Sequence, residues 1–233
     1  MKSSIEIKNG RPYILINGNL HYPVAYTSYF EECGCFSDFI ENGYKMFFIN
    51  ASFTLLPINN VTGFSPFLTG VFESETPDYS EFDNTVRSII RSCPDALIFP
   101  RINIAMPKKW IAENPSETVS TKNGGNREAL WSEAFLRDGA NLLEALVLHI
   151  RASDYSENVA GYQLCGGTTQ EWMHHDLFGS FSEKGLEKFR AAAAAKYGMC
   201  VSELPERSDF TNGVYSEITA KYGEFCCETA AKA

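Results

Sequence analysis

Four times in this chain a short apolar run is followed by a segment whose apolar residues recur at helical spacing. YPVAYTS (residues 22–28) precedes a short pattern through Phe36, Phe39 and Ile40 that stops at Gly43, and MFFINA (46–51) precedes a face of Phe82, Val86, Ile89 and Ile90. ALIFPRINI (96–104) precedes Leu136, Ala140, Leu143, Val147 and Ile150, and the run from Val159 to Cys165 precedes Leu186, Phe189, Ala193 and Tyr197, with Gly198 as a stop. Strands that are apolar almost throughout are covered on their faces, and a helix between successive strands makes their pairing parallel. The chain therefore predicts an α/β fold built on a parallel sheet.

Two architectures share this grammar. A doubly wound nucleotide-binding sheet carries a glycine-rich turn after its first strand, and TSYFEECGC offers neither GxGxxG nor a P-loop. A (β/α)8 TIM-type barrel places its chemistry in the loops at the carboxyl ends of its strands, where this chain has long segments rich in titratable and aromatic residues. The expectation is a TIM-type barrel, incomplete at about four β-α units. Ahead of it, IEIKNGRPYILIN alternates on both sides of Asn9-Gly10 and predicts a β-hairpin. The segments are then 1–21 for the hairpin, 22–198 for the barrel units and 199–233 for a tail with an amphipathic helix from about Val214. Ser80 and Asp83 read as a capping box for the second helix.

Composition narrows the function. The net charge is -9, from 29 acidic and 20 basic residues, with no local Lys/Arg cluster, so a phosphate backbone is an unsuitable partner. No apolar run has the length of a membrane span or a signal-peptide core, which predicts a soluble cytoplasmic protein without a membrane partner. Seven cysteines, an odd number without a CxxC pair, predict reduced thiols. Cys33 with Cys35, or Cys226 with Cys227, could bind a soft metal; the expectation is no metal and no cofactor.

The densest chemistry lies in GYQLCGGTTQEWMHHD, residues 161–176, where the fourth strand breaks at Gly166-Gly167 into Gln170, Glu171, Trp172, His174, His175 and Asp176. The last three are neighbours in sequence and point apart on any element, so they read as a polar loop rather than a metal cluster. Glu171 is either a solvated charge or a catalytic carboxyl, and Trp172 either packs the loop or offers a sugar a ring face. Arg101 sits inside an apolar strand and requires either a carboxylate partner or a ligand. Tyr26 and Asn50, at the ends of the first two strands, line a site or belong to the core. Trp110 closes the loop after the third strand.

The run FPRINIAMPKKWIAENPSE (99–117) resembles the third-strand region of family 42 β-galactosidase-type glycoside hydrolases. FIENGYKMFFINASFTLLP, PDYSEFDNTV and the helix leading into VAGYQL are similar to neighbouring segments of that family, so the likeness spans roughly residues 20–198. The resemblance implies a barrel acting on a β-linked, galactoside-type sugar through two carboxylates, retaining the anomeric configuration. In that family the fourth strand ends in Asn-Glu, the Glu being the acid/base. Here an ungapped match puts Gly166-Gly167 at that place, and Glu171 becomes the counterpart four residues on. Arg101, in a sugar subsite or orienting a carboxylate, is then expected with Trp172, Tyr26, Asn50 and Gln170 to bind the substrate. The family's nucleophile lies on a seventh strand, and only four units precede residue 198. The expectation is therefore the acid/base half of a longer hydrolase, or a chain completed by another half barrel or a second copy. The rival is a non-catalytic carbohydrate-binding or interaction domain, with Gly-Gly marking a lost site. An isomerase or aldolase barrel would want a lysine at a strand end, and none is found.

Overall fold

The computed structural model describes residues 2–30, 33–56, 69–121, 125–167, 170–172, 183–198 and 217–231. Along them run β1 (Ser3–Lys8), β2 (Arg11–Ile16), β3 (Asn19–His21), β4 (Tyr26–Thr27), α1 (Phe36–Glu41), β5 (Met46–Ser52), α2 (Ser80–Ser92), β6 (Leu97–Asn103) and α3 (Lys108–Glu113). Next come β7 (Thr118–Ser120), β8 (Asn126–Glu128), α4 (Glu133–Ala152), β9 (Gln163–Cys165), α5 (Glu183–Tyr197) and α6 (Glu217–Ala231). The chain divides into two compact units, one of residues 1–53, 66–103 and 144–165, the other of 54–65, 104–143 and 166–233.

In the first unit both Asn-Gly dipeptides turn the chain back on itself. Asn9 and Gly10 have φ 52° and 72°, Asn17 and Gly18 φ 48° and 87°, the left-handed pairs that a two-residue hairpin turn requires. The hairpin read from the sequence is therefore a three-stranded antiparallel sheet, β1-β2-β3. The second sheet is parallel, in the order β4-β5-β6-β9, and its centre is the in-register pairing of β5 with β6 from Met46↔Leu97 to Ser52↔Asn103. Side chains alternate between its faces. Phe47, Ile49, Ala51, Ile98 and Ile102 point one way and are fully buried, with the Phe36 ring of α1 meeting Phe47 edge-on. On the other face Met46, Leu97 and Ala160 form a core with Ile16 of β2, so the antiparallel sheet covers the amino end of that face.

The expected TIM-type barrel is not present. The described strands form a four-stranded parallel sheet, a three-stranded antiparallel sheet and a two-stranded antiparallel ribbon, β7-β8. The alternation of strand and helix is met only within one modest parallel sheet whose outer strands are two and three residues long. After β6 the chain leaves that sheet and builds a second unit before returning with β9. Apolar runs with helices between them specify parallel pairing, but they do not specify closure.

Two helices also differ from expectation. Of the predicted face of α4 Ile150 is buried, but the other buried positions, Phe135, Gly139 and Leu146, each fall one residue before a predicted one, and Ala140 is exposed. Gly139 permits this, because its Cα side lies against the Phe135 ring and Met106. At the start of α2 the Ser80 N–H donates to Asp78 Oδ1 at 2.9 Å, so Asp78 does the capping. Asp83 is instead buried and accepts hydrogen bonds from the Tyr155 hydroxyl and from His149 Nε2 at 2.9 Å, while Arg87 approaches its other oxygen at 3.3 Å. The His149 ring stacks on Tyr79 at 3.7 Å. Burial, and then the bond to Asp83, pushes the Tyr155 phenol well above its ordinary pKa.

The second unit has its own core of Met106, Trp131, Phe135, Leu186, Phe189, Ala193, Tyr222 and Cys226. Phe189 of α5 meets Tyr222 of α6 edge-on at 5.2 Å, and Lys196 pairs with Glu224 and Glu228. Arg127 and Glu128, both buried, pair at 3.3 Å, and the Met106 N–H donates to the same carboxylate. Glu117 accepts from Ser132 Oγ at 2.7 Å and pairs with Lys184, which holds its carboxyl below the usual glutamate range. No described helix is long and apolar enough to cross a membrane.

The Asp83 network gives a stability test. Asp83→Ala strands a phenol and an imidazole, while Arg87 keeps Asp154, and is expected to cost roughly 2–3 kcal/mol by urea unfolding. Tyr155→Phe should cost about 1 kcal/mol, and the double variant less than the sum, because both act through one bond.

Candidate functional site

Ligand sites in parallel sheets lie beyond the carboxyl ends of the strands. In the first unit the register sets what stands there. Asn50↔Arg101 and Arg101↔Gln163 are paired positions, so these three side chains form one row across β5, β6 and β9 on a single face. Ser52, Asn103 and Cys165 form the next row toward the carboxyl ends. Beneath both, Phe48 and Phe99 stack with centroids 5.0 Å apart at 20°. Gly161 admits the Phe99 ring, since a Cβ there would lie 3.3 Å from it. The face thus grades from a packed apolar base, through an aromatic pair, to two polar rows.

Each polar group is held by a specific contact. Asn50 Nδ2 donates to the Ser28 carbonyl and Asn103 Nδ2 donates to Ser52 Oγ at 3.1 Å. Asn103 is 1% exposed, and its Oδ1 has no hydrogen-bond donor among the described residues. Arg101 Nε donates to Cys165 Sγ at 3.4 Å, Nη2 reaches the Tyr29 hydroxyl at 3.4 Å, and the guanidinium lies 5.0 Å from the centre of the Tyr29 ring. Burial pushes the Cys165 thiol pKa up, and the opposing pull of Arg101 does not offset it, so this thiol is neutral at ordinary pH. The chain segment that follows β5 is anchored at the same end: the Val71 N–H donates to the Ser52 carbonyl and the Phe72 N–H to that of Phe53.

Of the residues singled out in the sequence, Asn50 and Arg101 are brought side by side. Tyr26 is not among them. Its ring stacks on Phe39 at 4.0 Å and meets Phe36 edge-on, and its hydroxyl accepts the Cys35 N–H, so it serves the helix-covered side of the sheet. Gln163, Ser52 and Asn103 were not singled out. The signal for Gln163 is its position two residues before Cys165 as the polar interruption in GYQLC, which puts it on the face of Arg101 once the register is known.

Gln170, Glu171 and Trp172 belong to the second unit. The turn that holds them uses left-handed backbone at Gly167 (φ 70°), Gln170 (φ 64°) and Trp172 (φ 57°), and for the two non-glycine residues this costs about 1–2 kcal/mol each. The Trp172 N–H donates to the Gly166 carbonyl at 2.8 Å, and its ring packs with the core of the second unit. Gln170 is buried and Glu171 is exposed. His174, His175 and Asp176 lie outside the described residues. Trp110 donates to Asp138 at 2.8 Å, tying α3 to α4. Among the described residues no group of three or more His, Cys, Asp or Glu side chains is placed to hold a metal ion.

The glycine pair now has a physical cause within its own unit. A Cβ at Gly166 would lie 3.0 and 3.1 Å from carbons of the Trp172 ring and 3.2 Å from Ile104. Gly166→Ala is expected to cost about 1–3 kcal/mol in denaturant unfolding by overpacking this contact. Pairing it with Trp172→Leu should recover most of that loss.

No family model matches the chain, and no curated protein is similar to it. Among solved structures, a β-galactosidase from the psychrophilic Marinomonas ef1 superposes with a TM-score of 0.43 at 15% identity, over 75% of this chain and 25% of that one. The chain thus spans about a quarter of that enzyme's length.

Proposed function

We propose that this protein binds a saccharide on the polar rows of its parallel sheet, as part of a glycoside hydrolase-like activity on a β-linked, galactoside-type sugar. The observation that carries the reading is the row Asn50, Arg101 and Gln163 above the stacked Phe48 and Phe99 rings. Two carboxamides offer paired donors and acceptors to vicinal hydroxyls, a guanidinium adds fixed donors, and aromatic carbon lies beneath, which is the mixture a pyranose presents in complement. The motif likeness of residues 99–117 and of VAGYQL to family 42 supports the same sugar class.

The finer form assigns Glu171 as acid/base of a retaining, two-carboxylate reaction whose nucleophile is not identified in this chain. Its support is the position of Glu171 after the fourth parallel strand and between two residues in strained left-handed backbone, a feature that collects at functional turns. Gln170 and Trp172, its neighbours, are the substrate-binding residues that accompany this form. A second reading, non-catalytic sugar binding, is favoured by Gly166, whose place is filled by the Trp172 ring where the family has its asparagine.

Calorimetric titration with p-nitrophenyl β-D-galactoside should show saturable binding that weakens roughly tenfold in Asn50→Ala and in Gln163→Ala, the value of one or two lost hydrogen bonds. Absence of saturable binding to any pyranoside in a panel overturns the proposal. Where the protein releases p-nitrophenolate, Glu171→Gln should abolish release and spare binding. Binding without release in the wild type selects the non-catalytic reading.

A further inference from the structure

Arg101 differs from the other arginines whose ion pairs are described. Arg87 faces Asp83 and Asp154, Arg127 faces Glu128 and Arg137 faces Asp138. The half-buried Arg101 guanidinium has only a neutral thiol and a phenol as hydrogen-bond partners among the described residues. Its flanking positions in the row, Asn50 and Gln163, are carboxamides, so among the described residues no carboxylate balances it on this face. A partly desolvated cation with neutral neighbours is unfavourable by itself and strongly favourable once an anion arrives.

A second observation independent of the charge points to the ligand's other end. Among the described residues Asn103 Oδ1 is a buried acceptor without a donor, on the same strand face two residues beyond Arg101, hence about 7 Å along β6. A simple carboxylate brings no hydroxyl to such an acceptor, and an inorganic phosphate dianion has its one hydroxyl on the charged centre itself, too close to span about 7 Å along the strand. A sugar acid brings both groups on one rigid ring. The protein's net charge of -9 repels polyanions at a distance, which favours a ligand with a single negative group met by one dedicated cation.

We propose that Arg101 forms a carboxylate subsite and that the saccharide taken by the polar rows is acidic, of the hexuronate class, with a ring hydroxyl donating to Asn103 Oδ1. The proposal rests on the saccharide reading of the preceding subsection. It changes that reading from a neutral galactoside to its C6-oxidised counterpart.

The test compares p-nitrophenyl β-D-galacturonide with p-nitrophenyl β-D-galactoside, which differ only at C6, by titration of the whole chain at low and high sodium chloride. The galacturonide should bind roughly tenfold or more tightly, the value of one charge-assisted bond, and the preference should shrink as salt rises. Arg101→Gln, shown to be folded by near-ultraviolet circular dichroism, should lose far more affinity for the galacturonide than for the galactoside, and Arg101→Lys should keep part of the preference. Equal affinity of the wild type for the two glycosides overturns the acidic subsite while the saccharide reading stands. A folded Arg101→Gln protein with the full preference also overturns it. Failure of both glycosides to bind removes the saccharide reading and this proposal with it.

Discussion

The in-register pairing of β5 with β6 is the constraint from which the first unit follows. Seven residues of each strand pair without a bulge, so every side chain has a fixed face and a fixed neighbour. One face is wholly apolar and buried. The other begins at Met46 and Leu97, passes through Phe48 and Phe99, and ends at Asn50, Ser52, Arg101 and Asn103. A slip of one residue would turn Arg101 and Asn50 into the helix-covered core and expel Ile98 and Ile49, an exchange that desolvation of a charge alone forbids. The polar rows exist because the apolar face leaves the strands no alternative register.

That constraint explains what was legible in the sequence and what was not. MFFINA and ALIFPRINI announced β5 and β6 because nearly every position is apolar, and the Asn9-Gly10 turn announced itself because only a left-handed pair closes a two-residue hairpin. The same signal at Asn17-Gly18 was equally readable and adds β3. The ribbon β7-β8 was hidden, since Thr118–Ser120 and Asn126–Glu128 are three residues each, and the buried Glu128 carboxylate is met by the Met106 N–H from 22 residues away, a tertiary interaction that periodicity does not register. The barrel inferred from strand-helix alternation failed for a similar reason, because closure depends on strand number and stagger, which local pattern does not encode.

The polar residues show the same division. Asn50 and Arg101 stood out because each interrupts an apolar strand, and register then made them neighbours. Tyr26 has the same sequence credentials but the opposite parity, paired with Phe47 and not with Phe48, which sends its ring among Phe36 and Phe39. Asp83 matched a capping box, yet its carboxylate is engaged by Tyr155, His149 and Arg87 from positions up to 72 residues away. Local rules assign a residue the nearest partner, and tertiary packing offered these two better ones.

The step from Cys165 to Gly166 is where the chain leaves the first unit for the second. Each side of that peptide is held by a contact inside its own unit, the thiol by Arg101 and the glycine by the Trp172 ring and Ile104. The fourth strand therefore ends in glycine for a packing reason that is independent of chemistry, since a side chain at 166 would displace a tryptophan. Left-handed backbone at Gly167, Gln170 and Trp172 then reverses the chain quickly enough to lay that ring back over its own starting point. A carboxylate at 166 is incompatible with this packing and one at 167 would add the cost of left-handed backbone, whereas Glu171 comes after the reversal.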